Sequence, residues 1–83
     1  MAEILVYKKS YCPYCSKAIN LLDKKGVKYE IIDVTTDAAL QEEMFKIAVG
    51  RTVPQIVING KSIGGCDDMY ALDAEGKLDE LLQ

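Results

Sequence analysis

The sequence predicts an α/β fold in which one four-stranded mixed sheet carries three helices on its faces. Three observations lead there. Short β-branched runs alternate with amphipathic stretches in the order β-α-β-α-β-β-α. The first two strands flank a helical crossover and should therefore run parallel. An Asn-Gly pair joins the last two strands, and both positions of such a turn need positive φ. The 83 residues, 49% apolar and 28% charged, suit one compact domain over positions 1–83 and are too few for two cores.

Each element has a local reason. Ile4 to Tyr7 is a β-branched and aromatic run, which sets the first strand at roughly 3–7. After Pro13, the positions Cys15, Ala18, Ile19 and Leu22 follow helical spacing, while Ser16, Lys17, Asn20, Asp23 and Lys24 face away. Pro13 suits the first helical turn, where its missing N–H is no loss, and Gly26 suits a left-handed stop. Val27 to Val34 has strand character and ends at Thr35-Thr36-Asp37, a capping cluster. The second helix should bury Leu40, Met44, Ile47 and Ala48 and close at Gly50.

Thr52-Val53-Pro54 breaks that pattern, and Gln55 to Ile58 forms a strand joined through Asn59-Gly60 to Lys61-Ser62-Ile63. Gly64-Gly65 ends the hairpin. Cys66-Asp67-Asp68 opens a helix carrying Met69 and Leu72 inward, Gly76 interrupts it, and Leu78, Leu81 and Leu82 give the last turn one apolar edge.

Composition excludes several classes of function. The longest early apolar run, Ile4 to Tyr7, is far short of a signal core or a membrane span, so a cytoplasmic protein with no membrane partner is expected. A net charge of −3, with no basic run longer than two residues, offers no footprint for nucleic acid. Three cysteines cannot all pair internally, and Cys12 and Cys15 are only three apart, which fits a reactive pair in a reducing compartment better than a stapled scaffold. With no histidine in the chain, cysteine must carry the chemistry.

Tyr11-Cys12-Pro13-Tyr14-Cys15 is the strongest chemical signal. A sulfur at the N-terminal edge of a helix meets unpaired N–H groups and the positive end of the macrodipole, which favour thiolate; thiols at such sites have pKa values of roughly 3.5–7.5. Cys12 is therefore the expected nucleophile, with Lys8 and Lys9 adding positive potential. Cys15 begins the buried stripe and is the expected resolving thiol. The competing reading of Cys-x-x-Cys is half a zinc site, which needs two more ligands that only Cys66 or a carboxylate could supply; no metal is expected.

Taken together, these motifs resemble the glutaredoxins over essentially the whole chain. Cys12-Pro13-Tyr14-Cys15 is similar to their dithiol site, Thr52-Val53-Pro54 to their cis-proline segment, and Gly64-Gly65-Cys66-Asp67-Asp68 to their γ-glutamyl site. The resemblance implies a thioredoxin-like fold with strand order β2-β1-β3-β4, and glutathione as co-substrate. It implies reduction of disulfide-bonded and glutathionylated proteins by a monomer. Glutathione has two carboxylates, an ammonium and an extended backbone, so its site needs donors at two ends and an acid near one. Cys66 and Asp67 at a helix start can offer N–H groups to the γ-glutamyl carboxylate, and Asp67 or Asp68 can meet the ammonium; complementing the helix dipole is the plainer role for both acids.

The resemblance also implies that the backbone of Val53 pairs with the cysteine of glutathione, that Pro54 is cis, and that Thr52 and Gly65 complete the site. A trans proline opening an edge strand is the alternative. For the glycine carboxylate it points to Lys9, then Gln41, then Arg51, although a lone glutamine on a helix is usually only solvated. Tyr14 can line the groove or be a plain surface tyrosine, and the Cys66 thiol is expected to be a bystander. Two rival functions stand beside this one. A thioredoxin-reductase-driven redoxin is disfavoured by the Gly-Gly-Cys-Asp-Asp segment. A [2Fe–2S] carrier is disfavoured by Pro13 and the second cysteine.

Overall fold

A computed structural model describes residues 2–48 and 52–83. The sheet has the order β2-β1-β3-β4, with β1 (Ile4–Lys8) at its centre. β1 runs parallel to β2 (Glu30–Asp33), with Val6 beside Ile31, and antiparallel to β3 (Gln55–Ile58), with Val6 beside Ile56. β3 turns through Asn59 (φ 52°) and Gly60 (φ 81°) into the antiparallel β4 (Lys61–Gly64). That is the primed hairpin turn expected from Asn-Gly, whose twist matches the flanking strands. Asn59 also ties the turn to the start of β1, accepting from the Glu3 N–H at 2.9 Å and donating its own N–H to Glu3 O at 2.8 Å.

Alternation along the strands builds a core on each face. Ile4, Val6, Ile56 and Ile58 face α1 (Pro13–Lys25), α3 (Cys66–Ala74) and α4 (Leu78–Leu82), where Ala18, Leu22, Met69 and Leu78 are fully buried. Tyr7 and Val57 face α2 (Ala38–Ile47), which buries Met44. The first cluster is the larger because three helices cover it.

The elements follow the predicted order with four local differences. α1 buries Leu21 as well as Leu22, and Ile19 only in part, because α3 packs against a wider face than one stripe. β2 covers 30–33 rather than 27–34: its parallel register with β1 runs along 30–33, with one further bond from the Val34 N–H to Lys8 O at 2.9 Å, and Val27 and Tyr29 pack on the core as loop residues. In α2, Leu40 is half-buried, as is Ala48 just past the helix end, and Ile47 is exposed, since that helix alone among the described elements lies on its face and Ile47 is its last residue. Gly50, expected to close α2, lies outside the described residues. The last apolar turn is a separate short helix beyond Gly76 (φ 74°); Leu78 and Leu82 are buried there and Leu81 is exposed. Lys25, at the end of α1, bridges Asp73 at 2.6 Å and Asp79 at 2.9 Å, tying the helices of the larger core together.

Candidate active site

The loop after β1 is held from β2. The Asp33 carboxylate accepts from the Thr35 hydroxyl and N–H, which keep it below the usual carboxylate range, and Thr35 Oγ1 in turn accepts from the Ser10 N–H at 2.8 Å. Tyr11 then adopts φ 56° with its ring fully exposed. The turn delivers Cys12 to the N-cap of α1 in extended geometry, with Pro13 next and no acidic residue in the first turn. The Cys15 N–H donates to Cys12 Sγ at 3.1 Å, and the Ser16 N–H donates to Cys12 O at 3.1 Å. Among cap residues an oxygen usually plays this part; here a sulfur receives the donor and the dipole.

Cys12 and Cys15 are joined as a disulfide, with Cα atoms 5.1 Å apart. Their surroundings differ: Cys12 is half-buried, whereas Cys15 is 1% exposed at the head of the α1 core face. An attacker from solvent can therefore reach only the first sulfur.

Beside this pair, Val53 O lies 3.7 Å from Cys12 Sγ, and the Val53–Pro54 bond is cis, as expected. A groove of about 490 Å³ opens between the Thr52–Gln55 segment and the start of α3, with Tyr14 at its edge. It gathers eight of the anticipated residues: Tyr14, Thr52, Val53 and Pro54 on one side, Gly65, Cys66, Asp67 and Asp68 on the other. The walls approach closely, because a side chain on Gly65 would press on Pro54 O. Gly64 is equally constrained. Its φ is 99°, and a Cβ there would collide with the Asp68 carboxylate.

The two acids at the start of α3 are not equivalent. Both are exposed on the groove, but Asp68 accepts the Gly65 N–H at 2.9 Å, one half of a capping box, a bond that Asp67 does not share. Between them and the core, Cys66 is 4% exposed; burial pushes its thiol up, Asp67 adds to this, and Lys17 opposes it.

Two expected residues lie elsewhere. Lys9 lines a second hollow of about 340 Å³ together with Tyr11, Cys12 and Pro13. Gln41 reaches neither hollow: its Nε2 donates to Val34 O at 2.7 Å, joining α2 to the end of β2. Arg51 lies outside the described residues. The sequence reading missed Gln55 as a groove residue, whereas Gly64 belongs to the Gly64–Asp68 motif already singled out. Gln55 is 2% exposed, and its Nε2 donates to Thr52 O at 2.7 Å, while Oε1 has no partner among the described residues. A buried acceptor left unmatched costs about 1–3 kcal/mol. The signal for it was a glutamine heading the run Ile56-Val57-Ile58, a polar side chain where the pattern demands an apolar one.

The family model described as glutaredoxin matches residues 4–63. Glutaredoxin 3 of Escherichia coli (strain K12) is 51% identical over 83 residues, covering all of both chains. Glutaredoxin 1 of Rickettsia prowazekii (strain Madrid E) is 49% identical over 82 residues, covering 96% of this chain and 86% of that protein. Among solved structures, the buckwheat glutaredoxin–glutathione complex superposes with a TM-score of 0.87 at 36% identity, covering 98% of this chain and 76% of that one. Oxidized glutaredoxin 2 from Chlamydomonas reinhardtii gives 0.83 at 42% identity, covering 99% and 80%. With its Cys-x-x-Cys pair at the head of α1, the chain belongs to the glutaredoxin family and is a dithiol thiol–disulfide oxidoreductase.

Proposed function

We propose that Cys12 is the attacking thiolate and Cys15 the resolving thiol of a glutathione-dependent reductase acting on glutathionylated and disulfide-bonded proteins. The observation that carries this is the asymmetry of the pair: Cys12 Sγ is reachable and receives the Cys15 N–H at 3.1 Å at a helix N-terminus, while Cys15 is buried. Both features favour an anionic, accessible sulfur at the first position only.

With a glutathionylated protein, the Cys12 thiolate attacks the glutathionyl sulfur and the protein leaves as thiolate. A second glutathione thiolate then attacks the Cys12 mixed disulfide, releasing oxidised glutathione and restoring Cys12. With a protein disulfide, Cys12 forms a mixed disulfide with one protein sulfur, Cys15 displaces it, and the protein leaves as a dithiol. Two glutathiones reduce the resulting Cys12–Cys15 bond.

The groove suits the glutathionyl group end to end. The N–H groups of Cys66 and Asp67 at the α3 start meet the γ-glutamyl carboxylate, with Gly65 and Thr52 shaping that end. The exposed Asp67 carboxylate meets the ammonium, since Asp68 is engaged by Gly65. Val53 pairs with the cysteinyl backbone beside Pro54, Tyr14 flanks it, and Lys9 takes the glycine carboxylate. Gln41 stays outside this reading because its amide is spent on Val34 O. The protein works in the cytoplasm as a monomer, a reading supported by its 51% identity to a bacterial glutaredoxin.

Two variants test the roles. Cys12→Ser should abolish both reactions, by on the order of a thousandfold or more. Cys15→Ser should keep deglutathionylation and lose protein disulfide reduction. Loss of both reactions in Cys15→Ser would refute the division of labour.

A further inference from the structure

We propose that Gln55 is a positioning residue that aims the Val53 N–H into the groove, where that donor pairs with the cysteinyl carbonyl of glutathione. The inference rests on the glutathione reading of the groove and adds a residue to it.

Gln55 opens β3 directly opposite Tyr7, so its side chain lies on the α2 face of the sheet, beneath the Thr52–Pro54 turn. From there Nε2 reaches back three residues and holds Thr52 O at 2.7 Å. The Thr52–Val53 peptide is trans, and in a trans peptide the C=O and the N–H point in opposite directions. Pulling Thr52 O toward the buried Gln55 amide therefore turns the Val53 N–H away from the interior. Val53 lines the groove, so this is the direction of the ligand. The next residue, Pro54, has no N–H to offer, which leaves Val53 as the strand-type donor at this point of the wall.

The stranded Oε1 supports a positioning role over a packing one. A leucine at position 55 would fill similar space without stranding an oxygen of its own but would release Thr52 O, whereas a glutamine keeps the grip on Thr52 O and strands its own oxygen. Swapping the amide ends does not remove the conflict, because oxygen would then face the Thr52 carbonyl.

The experiment compares wild type with Gln55→Leu and Gln55→Met, using a glutathionylated peptide as substrate. Both variants exchange one unmatched acceptor, Gln55 Oε1, for another, Thr52 O, so both should melt close to wild type. KM for the glutathionylated peptide should rise about three- to tenfold, with kcat within about twofold and the Cys12 thiolate titration in place. An unchanged KM in the folded variants, with normal wild-type turnover, overturns the role of Gln55. Wild type that fails to turn over with glutathione removes the underlying reading instead. If the variants do not fold, amide NMR of wild type decides. Titration with glutathione should shift the Val53 N–H downfield, and a static Val53 alongside a moving Asp67 overturns the proposal.

Discussion

At the start of α1, Cys12 occupies the N-cap, half-buried, with a helix N–H on its sulfur and no acid in the first turn. At the start of α3, Cys66 is the first helical residue, 4% exposed, with Asp67 and Asp68 beside it. Two cysteines thus sit within one residue of equivalent places on two helices, yet the surroundings favour charge on one sulfur and the neutral thiol on the other. Nearness to a helix N-terminus is not what makes a thiol reactive. The sulfur must also be the group that receives the donors, and it must keep water on one side. In α3 the carboxylate of Asp68 receives the Gly65 N–H, and the Cys66 sulfur points into the core with Met69.

The sharpest way to break this contrast is to remove each sulfur in turn. The thousandfold loss expected for Cys12→Ser should have no counterpart in Cys66→Ala, whose turnover should stay within about twofold of wild type. Asp68→Ala comes next: it strips the cap from α3 and should lower stability by about 1 kcal/mol in denaturant unfolding, leaving α1 untouched. Giving α1 the acid that α3 already has is a smaller change. Ser16→Asp sets a negative charge near the Cys12 sulfur, so thiolate absorbance should appear at higher pH and turnover at neutral pH should fall about two- to fivefold.

The smallest effect concerns pH and the buried thiol. Burial raises the Cys66 thiol above its ordinary value of 9.0, so as pH climbs through that value the unfolded chain loses this proton before the folded one does. Stability attached to Cys66 is complete below that range and declines as pH rises toward the folded value. Cys66→Ala should flatten that decline in unfolding experiments run across alkaline pH.

Much of the site was legible in one dimension because its chemistry is local. A cysteine, a proline and a helical stripe within the eleven residues from Cys12 to Leu22 imply a sulfur at a helix mouth, and Gly64-Gly65 was legible as the end of the hairpin, where the structure puts Gly64 at φ 99°. What escaped depends on partners distant in sequence or on which way a long side chain turns. Gln41 lay at a plausible spacing, yet its amide finds Val34 O seven residues back. Ile47 fitted a stripe, yet one helix on the far face cannot cover its own last residue.

By itself the sequence determined the order of the elements, the Asn59-Gly60 hairpin and the placing of Cys12 ahead of a helix, because periodicity, turn chemistry and capping act within a few residues of each other. Only the tertiary structure decided that Gln55 sits beneath the groove, that Lys9 lies in a separate hollow, and that Asp68 serves its own helix while Asp67 does not. Apolar residues announce their burial by spacing. A polar side chain bonds to whichever donor or acceptor the folded chain brings within about 3 Å, and that meeting is set by packing rather than by spacing.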